Sequence, residues 1–323
     1  RPWGPNVRRV AQENTAGDVR GIAPARGLHA PKADSRGALH SLSQWETLNF
    51  LCTNRIPRVL ATRLMGRLSR IENRALLRLS LAIWRQFAPD LDLGEAERSD
   101  FRSLHDVFTR RLKPGARPIH PAADTLTSPC DAIVGALGRV ERGTVLQAKG
   151  MPYALLDLLG SKELVERHEG GLYVTLRLTS SMYHRFHAPC AGSWTTVRYL
   201  AGDAFNVNPI ALARIPSLFC KNERAVLDFD SAPAGGALTL VPVAAVLVAS
   251  LRLHCLPESL DLRYRGPERI PAPWSFRKGD ELGYFEHGST ILVFATGPYR
   301  FAPNLEPGRR IRVGEPLLHI TPP

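Results

Sequence analysis

From about residue 125 onward the chain is a succession of short apolar, strand-type runs set between turns rich in glycine and proline. The runs fall at 132–137, 172–178, 195–200, 225–229, 238–251, 289–294 and 310–319. Strands this short and this closely spaced favour a β-sandwich or barrel. Only one internal stretch, 153–167, reads as a helix, and no repeat of fixed period is visible. The most apolar run, 237–250, is too short to cross a bilayer as a helix and contains Pro242, so it reads as a buried strand pair.

The first hundred residues have a different texture. Residues 1–40 are rich in Gly, Pro, Ala and Arg with no apolar period, the signature of a disordered basic tail. An Arg-rich, acid-poor tail is also the composition of an organellar transit peptide. Between 42 and 88 apolar residues recur at helical spacing: Trp45, Leu48 and Leu51, then Val59, Leu60, Leu64, Leu68 and Ile71, then Leu76, Leu77, Leu81 and Trp84. Pro57 and Asn73 mark breaks, and eight arginines stand between the apolar positions. Such helices either lie in a headgroup layer with Arg toward phosphates or pack on the rest of the protein with a solvated basic face. At 101–119 a short helix opens and Lys113-Pro114-Gly115 ends it. The expected class is α+β: a tail at 1–40, an amphipathic helical, membrane-associating region at 41–100, and a β-rich sandwich- or barrel-like core at 101–323.

Charge and cysteine content narrow the partners. The chain carries 42 basic and 30 acidic residues, a net charge of +12, and nearly all of the basic residues are arginine. That surface suits an anionic bilayer, an anionic substrate or nucleic acid. No helix-turn-helix or finger pattern accompanies the charge, and the basic residues lack interleaved aromatics, so nucleic acid is set aside. Five cysteines without a CxxC pair argue against a disulfide framework and a zinc ribbon.

Three segments carry chemistry. Gly288-Ser289-Thr290 immediately precedes an apolar strand; Tyr183-His-Arg-Phe-His-Ala-Pro189 holds His184 and His187; Ser128-Pro-Cys-Asp131 holds an acid at a turn. Acid, base and hydroxyl in the order Asp131, His187, Ser289 could activate the Ser289 oxygen. The GxSxG elbow of hydrolases is absent. Two histidines three residues apart could also serve a metal, but no HExxH pattern is present and no metal is expected. From the residues alone a serine hydrolase using Asp131, His187 and Ser289 and a non-catalytic membrane-binding protein both stay open.

From about residue 45 to its end the chain resembles the phosphatidylserine decarboxylase proenzymes, a pyruvoyl-dependent family. The resemblance rests on Phe108-Thr-Arg-Arg-Leu-Lys-Pro-Gly-Ala-Arg-Pro118, Ser128-Pro-Cys-Asp131, Gln147-Ala-Lys-Gly150, Leu158-Leu-Gly160, Tyr183-His-Arg-Phe-His-Ala-Pro189, Gly202-Asp203, Val207-Asn208, Asn222-Glu223-Arg224, Lys278-Gly279, Gly283-Tyr-Phe285 and Gly288-Ser-Thr290. Each motif is weak; their joint order and spacing are specific. Two positions depart from the family pattern: His287 stands where an aliphatic residue is usual, and Ala132 where glycine is usual.

The resemblance implies self-cleavage between Gly288 and Ser289, with Ser289 converted to a covalent pyruvoyl group. That group would form a Schiff base with phosphatidylserine in an anionic membrane and release phosphatidylethanolamine. It further implies that His187, oriented by Asp131, takes the Ser289 proton, and that His184 handles the substrate carboxylate or the carbanion. The two cleavage fragments would stay associated, a homodimer is left open, and the expected location is peripheral, on the cytoplasmic face of a bacterial inner membrane in preference to a mitochondrial one.

Overall fold

The computed structural model describes residues 58–147, 150–230, 232–245, 250–286 and 289–321. The expected tail and the first part of the helical region lie outside the described residues. In chain order the elements begin with helices α1 (Arg58–Ser69), α2 (Arg74–Phe87) and α3 (Leu104–Phe108). Strands β1 (Thr125–Thr127), β2 (Ala132–Arg139), β3 (Thr144–Leu146) and β4 (Pro152–Ala154) precede helices α4 (Leu155–Leu159) and α5 (Lys162–His168). Then come β5 (Leu172–Leu178), β6 (Arg185–His187), β7 (Gly192–Leu200), α6 (Pro209–Leu212), α7 (Leu218–Lys221), β8 (Arg224–Asp228) and β9 (Ala237–Ala244). The chain finishes with β10 (Ser250–Leu253), β11 (Leu260–Asp261), β12 (Arg269–Phe276), β13 (Glu281–Phe285), β14 (Ser289–Thr296), β15 (Tyr299–Phe301), β16 (Arg310–Ile311) and β17 (Pro316–Ile320). This is a β-rich α+β protein with few and mostly short helices.

An eight-stranded sheet runs in the order β12-β7-β8-β9-β14-β5-β2-β16. Every pairing in it is antiparallel. A four-stranded sheet, β11-β10-β13-β6, a three-stranded sheet, β1-β17-β15, and the β3-β4 pair complete the strands. Alternate residues of a strand point to opposite faces, which divides the core in two. From β14, Ile291, Val293 and Ala295 join Phe186, Leu251, Leu282 and Phe285 of the four-stranded sheet and Leu126 and Leu317 of the three-stranded one. Leu292 and Phe294 join Leu155, Leu158, Leu212, Leu218 and Phe219 from the short helices on the other side. Because both faces of β14 are covered, it reads in the sequence as a continuous apolar run. Each of these side chains apart from Ala295 contributes roughly 1.5–3 kcal/mol through burial.

Several boundaries differ from the sequence reading. The helix expected at 153–167 is two helices, because Gly160 adopts a left-handed φ of 64° and Ser161 caps a new start by accepting from Leu164 N; only glycine takes that conformation without strain. The helix expected to open at 101 is a single turn, Leu104–Phe108, capped by Ser103. The run at 237–250 yields β9 and β10, which enter different sheets. Asn73 caps α2, its side chain accepting from Ala75 N and Leu76 N, which explains the break between the two basic helices.

Candidate active site

Ser289 opens β14, the strand fourth from the β16 edge of the large sheet. It pairs with Ala244 on one side and Leu178 on the other. It is fully buried, and among the described residues its Oγ has no hydrogen-bond partner. A buried hydroxyl left unsatisfied costs stability, and here it leaves the Oγ without a competing hydrogen bond among the described residues, a state it shares with Thr290 Oγ1 and Thr175 Oγ1. By strand parity Ser289 lies on the same face as Ile291 and Val293, toward the four-stranded sheet, and Thr290 lies on the helix-covered face. On the β5 side, Ile133 pairs with Arg177, so Ala132 stands level with Leu178. Asp131 therefore sits just beyond the row of Ser289, two strands away, or about 10 Å at ordinary strand spacing.

β6 carries the histidine segment across this face. Its register against β13 pairs His187 with Glu281 and Arg185 with Tyr284. The backbone N of Phe285 donates to the His184 carbonyl at 3.0 Å. His184 thus stands level with the end of β13, where the chain crosses toward Ser289. His187 stands at the opposite end, four residues back along β13, or roughly 13 Å. There its own backbone N donates to Pro129 O at 2.8 Å, next to the Asp131 turn.

The ring environments fix the tautomers. His184 Nδ1 lies 2.9 Å from the Met182 carbonyl, and a carbonyl only accepts, so Nδ1 carries the proton and Nε2 is the basic nitrogen of the neutral ring. The ring is fully buried and packs on Phe108 of α3 with centroids 4.0 Å apart. His187 Nδ1 donates to Gly279 O at 2.9 Å, and its Nε2 accepts from the Tyr183 hydroxyl at 3.1 Å. Gly279 holds a φ of 85°, and a Cβ there would meet Ile119, so only glycine presents this carbonyl. Burial pushes the His187 pKa down, against the opposing pull of the Gly279 carbonyl and the Glu281 and Asp131 carboxylates.

Asp131 has other partners. Arg117 Nε lies 2.9 and 3.0 Å from its two oxygens and a terminal nitrogen lies 2.6 Å from Oδ2, while Val313 N donates to Oδ1 at 3.0 Å. Arg117 also binds Glu95 at 2.8 Å. Burial works against the charge on Arg117, but these carboxylates hold its pKa above the ordinary value. The structure therefore brings His187 and Asp131 to one neighbourhood without a hydrogen bond between them, and it sets His184 beside Phe285, four residues before Ser289 in the chain. Gly288 and His287 lie outside the described residues. Sequence reasoning missed Arg117 and Tyr183, although both lie inside motifs singled out above.

A further acid shares the face of Ser289. The Arg224–Val243 pairing puts Glu223 level with Ala244, and Ala244 N donates to Glu223 O at 3.0 Å. Glu223 is buried, accepts from the Tyr199 hydroxyl at 2.6 Å, and has its carboxyl pushed up to about 8 by burial.

A family model described as phosphatidylserine decarboxylase matches residues 104–319. The chain is 40% identical over 270 residues to the phosphatidylserine decarboxylase proenzyme of Anaeromyxobacter sp. (strain K), covering 81% of this chain and 94% of that protein. It is 34% identical over 269 residues to the Brevibacillus brevis proenzyme, covering 82% and 95%, and 36% identical over 277 residues to that of Vibrio cholerae, again covering 82% and 95%. The motif order along the strands, the buried serine heading a central strand and these matches converge: the chain belongs to the phosphatidylserine decarboxylase family.

Proposed function

We propose that this chain is a proenzyme that cuts itself between Gly288 and Ser289 and then converts phosphatidylserine to phosphatidylethanolamine and CO₂. The observation that carries the reading is the buried, unsatisfied Ser289 hydroxyl at the head of β14, directly after the crossing from the four-stranded to the eight-stranded sheet. Attack of Oγ on the Gly288 carbonyl turns the amide into an ester and frees the serine nitrogen. Loss of the Ser289 α-proton then expels the Gly288 carboxylate, and hydrolysis of the dehydrated residue releases ammonia and leaves a pyruvoyl end on the chain starting at 289. When formed, that group supplies the electron sink for the pair left by CO₂.

The residues of this chain then divide the remaining work. The β6–β13 register favours His184, with Nε2 as its lone-pair nitrogen, as the base that takes the Ser289 proton. His187, with both ring nitrogens engaged, and Asp131, engaged by Arg117, are assigned to holding the turn beneath β6. The alternative, in which His187 oriented by Asp131 is the base, requires both to change partners first.

Residues 101–323 are assigned to the catalytic core, with the sheets packed in a sandwich-like manner, and the basic helices to membrane attachment at the cytoplasmic face of a bacterial inner membrane. Support for attachment comes from the exposed apolar side chains of Leu64, Leu68, Ile71, Leu79 and Ile83, set among arginines on and beside α1 and α2. Among the described residues no helix is long and apolar enough to cross a membrane. Denaturing mass spectrometry of the expressed protein is expected to find a fragment of 35 residues, 289–323, with a blocked N-terminus. Ser289→Ala is expected to give one intact chain that releases no CO₂; turnover by that variant would remove the proposal.

A further inference from the structure

Helix α1 and the β10–β11 edge enclose a cavity of about 380 Å³. Arg67 and Arg70, three residues apart on and just beyond α1, form one wall, and Arg263 stands on another. The inner lining includes Ser250, Leu262 and Glu286. Glu286 is buried, and its backbone N donates to Ser250 O at 3.3 Å, which ties the cavity to the segment three residues before Ser289. Leu262 packs against Ala244, the residue paired with Ser289. The cavity therefore approaches Ser289 through Leu262 and Glu286 without being lined by the serine, which is fully buried, and Leu64 and Leu68 stand on the face of α1 turned away from it.

Its charges are arranged in a particular way. Arg70 binds Glu286 at 2.6 Å, and Arg263 binds Asp261 at 2.7 Å. Arg67 adds a further cation to the wall. An anion meeting arginines at the mouth and a cation meeting a buried carboxylate inside would reproduce both halves of the Arg70–Glu286 pair. A phosphodiester joined to a primary ammonium has those two charges at that separation of a few bonds, and arginine is the side chain suited to phosphate. The volume lies at the small end of ligand pockets, so it takes a head group and leaves the acyl chains outside.

We propose that this cavity is the head-group site, with Arg67, Arg70 and Arg263 on the phosphodiester and Glu286 on the ammonium. The assignment rests on the decarboxylase reading, but its test does not need turnover. Calorimetry on the full-length Ser289→Ala protein would use glycerophosphoserine, glycerophosphoethanolamine, glycerol 3-phosphate and inorganic phosphate as probes. Both amine-bearing probes are expected to bind, with R67A/R263A weakening them about tenfold, roughly 1.4 kcal/mol. Both arginines are exposed, so the double variant is expected to fold normally. Glu286→Gln is expected to weaken the amine-bearing probes without weakening glycerol 3-phosphate, because it removes the ammonium's partner and releases Arg70 toward the phosphate. Inorganic phosphate binding as tightly as glycerophosphoserine would reduce the site to a general anion site and overturn the assignment. Binding unaffected by R67A/R263A would overturn it too, while leaving self-cleavage and CO₂ release by the unmodified protein intact. Conversely, probe binding that depends on these arginines in a protein that never decarboxylates would support the site and sink the decarboxylase reading.

Discussion

Arg117→Met tests where the charge on Asp131 is compensated. The substitution keeps most of the stem and removes three guanidinium contacts of 2.6–3.0 Å, leaving the carboxylate with the single backbone donor from Val313. The two side chains are only 10% and 9% exposed, so water replaces little of what is lost. Removing one partner of a buried ion pair costs about 3–5 kcal/mol, because the other charge stays buried. Glu95 adds little to this, being 31% exposed and also facing Arg312 at 3.6 Å. At roughly 2–4 °C per kcal/mol for a domain of this size, the melting temperature should fall by about 6–20 °C. The measurement is thermal and urea unfolding in a Ser289→Ala background, which keeps the protein one chain. Arg117→Met with Asp131→Asn should recover at least about 1 kcal/mol relative to the single variant, since the orphaned charge is gone. A loss below about 1 kcal/mol, or no recovery in the double variant, would refute the claim that Arg117 holds this carboxylate.

The other expectations follow from the same geometry. His184→Ala should block self-cleavage, and His187→Ala should slow it while leaving product; the reverse pattern on denaturing gels would return the base role to His187. Glu223 has a folded pKa of about 8 against an ordinary 4.5, so its ionisation opposes folding. Its protonated state is free of penalty below about pH 4.5, and stability falls as pH rises toward 8 by a few kcal/mol. Glu223→Gln should flatten that part of the stability–pH curve, and an unchanged slope would exclude the buried-acid description. Replacing Leu64 and Leu68 together by Gln should cut sedimentation with anionic liposomes several-fold without lowering thermal stability, because both are about half exposed (56% and 46%); undiminished binding would show that this ridge does not meet the bilayer.

Some of this was readable from the residues and some was not. β14 was visible because an apolar run covered on both faces leaves no polar alternation to confuse it. The order of the large sheet was not, because strands far apart in sequence, such as β12 and β7, become neighbours only through long-range pairing. The stop at Gly160-Ser161 was present in the sequence as a C-cap glycine followed by an N-cap serine, and the apolar spacing on either side masked it. His184 and His187 stood out as a pair, but deciding which of them neighbours Ser289 requires the β6–β13 register. Arg117 carried no signal of its own: its contact with Asp131 is made through a non-periodic turn, and nothing in the spacing of the two residues announces it. Glu223 stood within the Asn222-Glu223-Arg224 motif, but its burial was not readable, since one sequence position cannot tell a buried acid from a solvated one.

The position of β14 decides what a break before Ser289 can and cannot do. The new chain would begin in the middle of a sheet, zipped to β5 along one edge and to β9 along the other, and its later strand β17 is laced to β1. Departure would mean ripping the large sheet into two halves, so the scission loosens one end without freeing the piece. The freshly made terminus gains torsional liberty at a single point while the walls around it keep their places, and two separately synthesised halves would have to leave an open slot in a β-sheet before they could find each other.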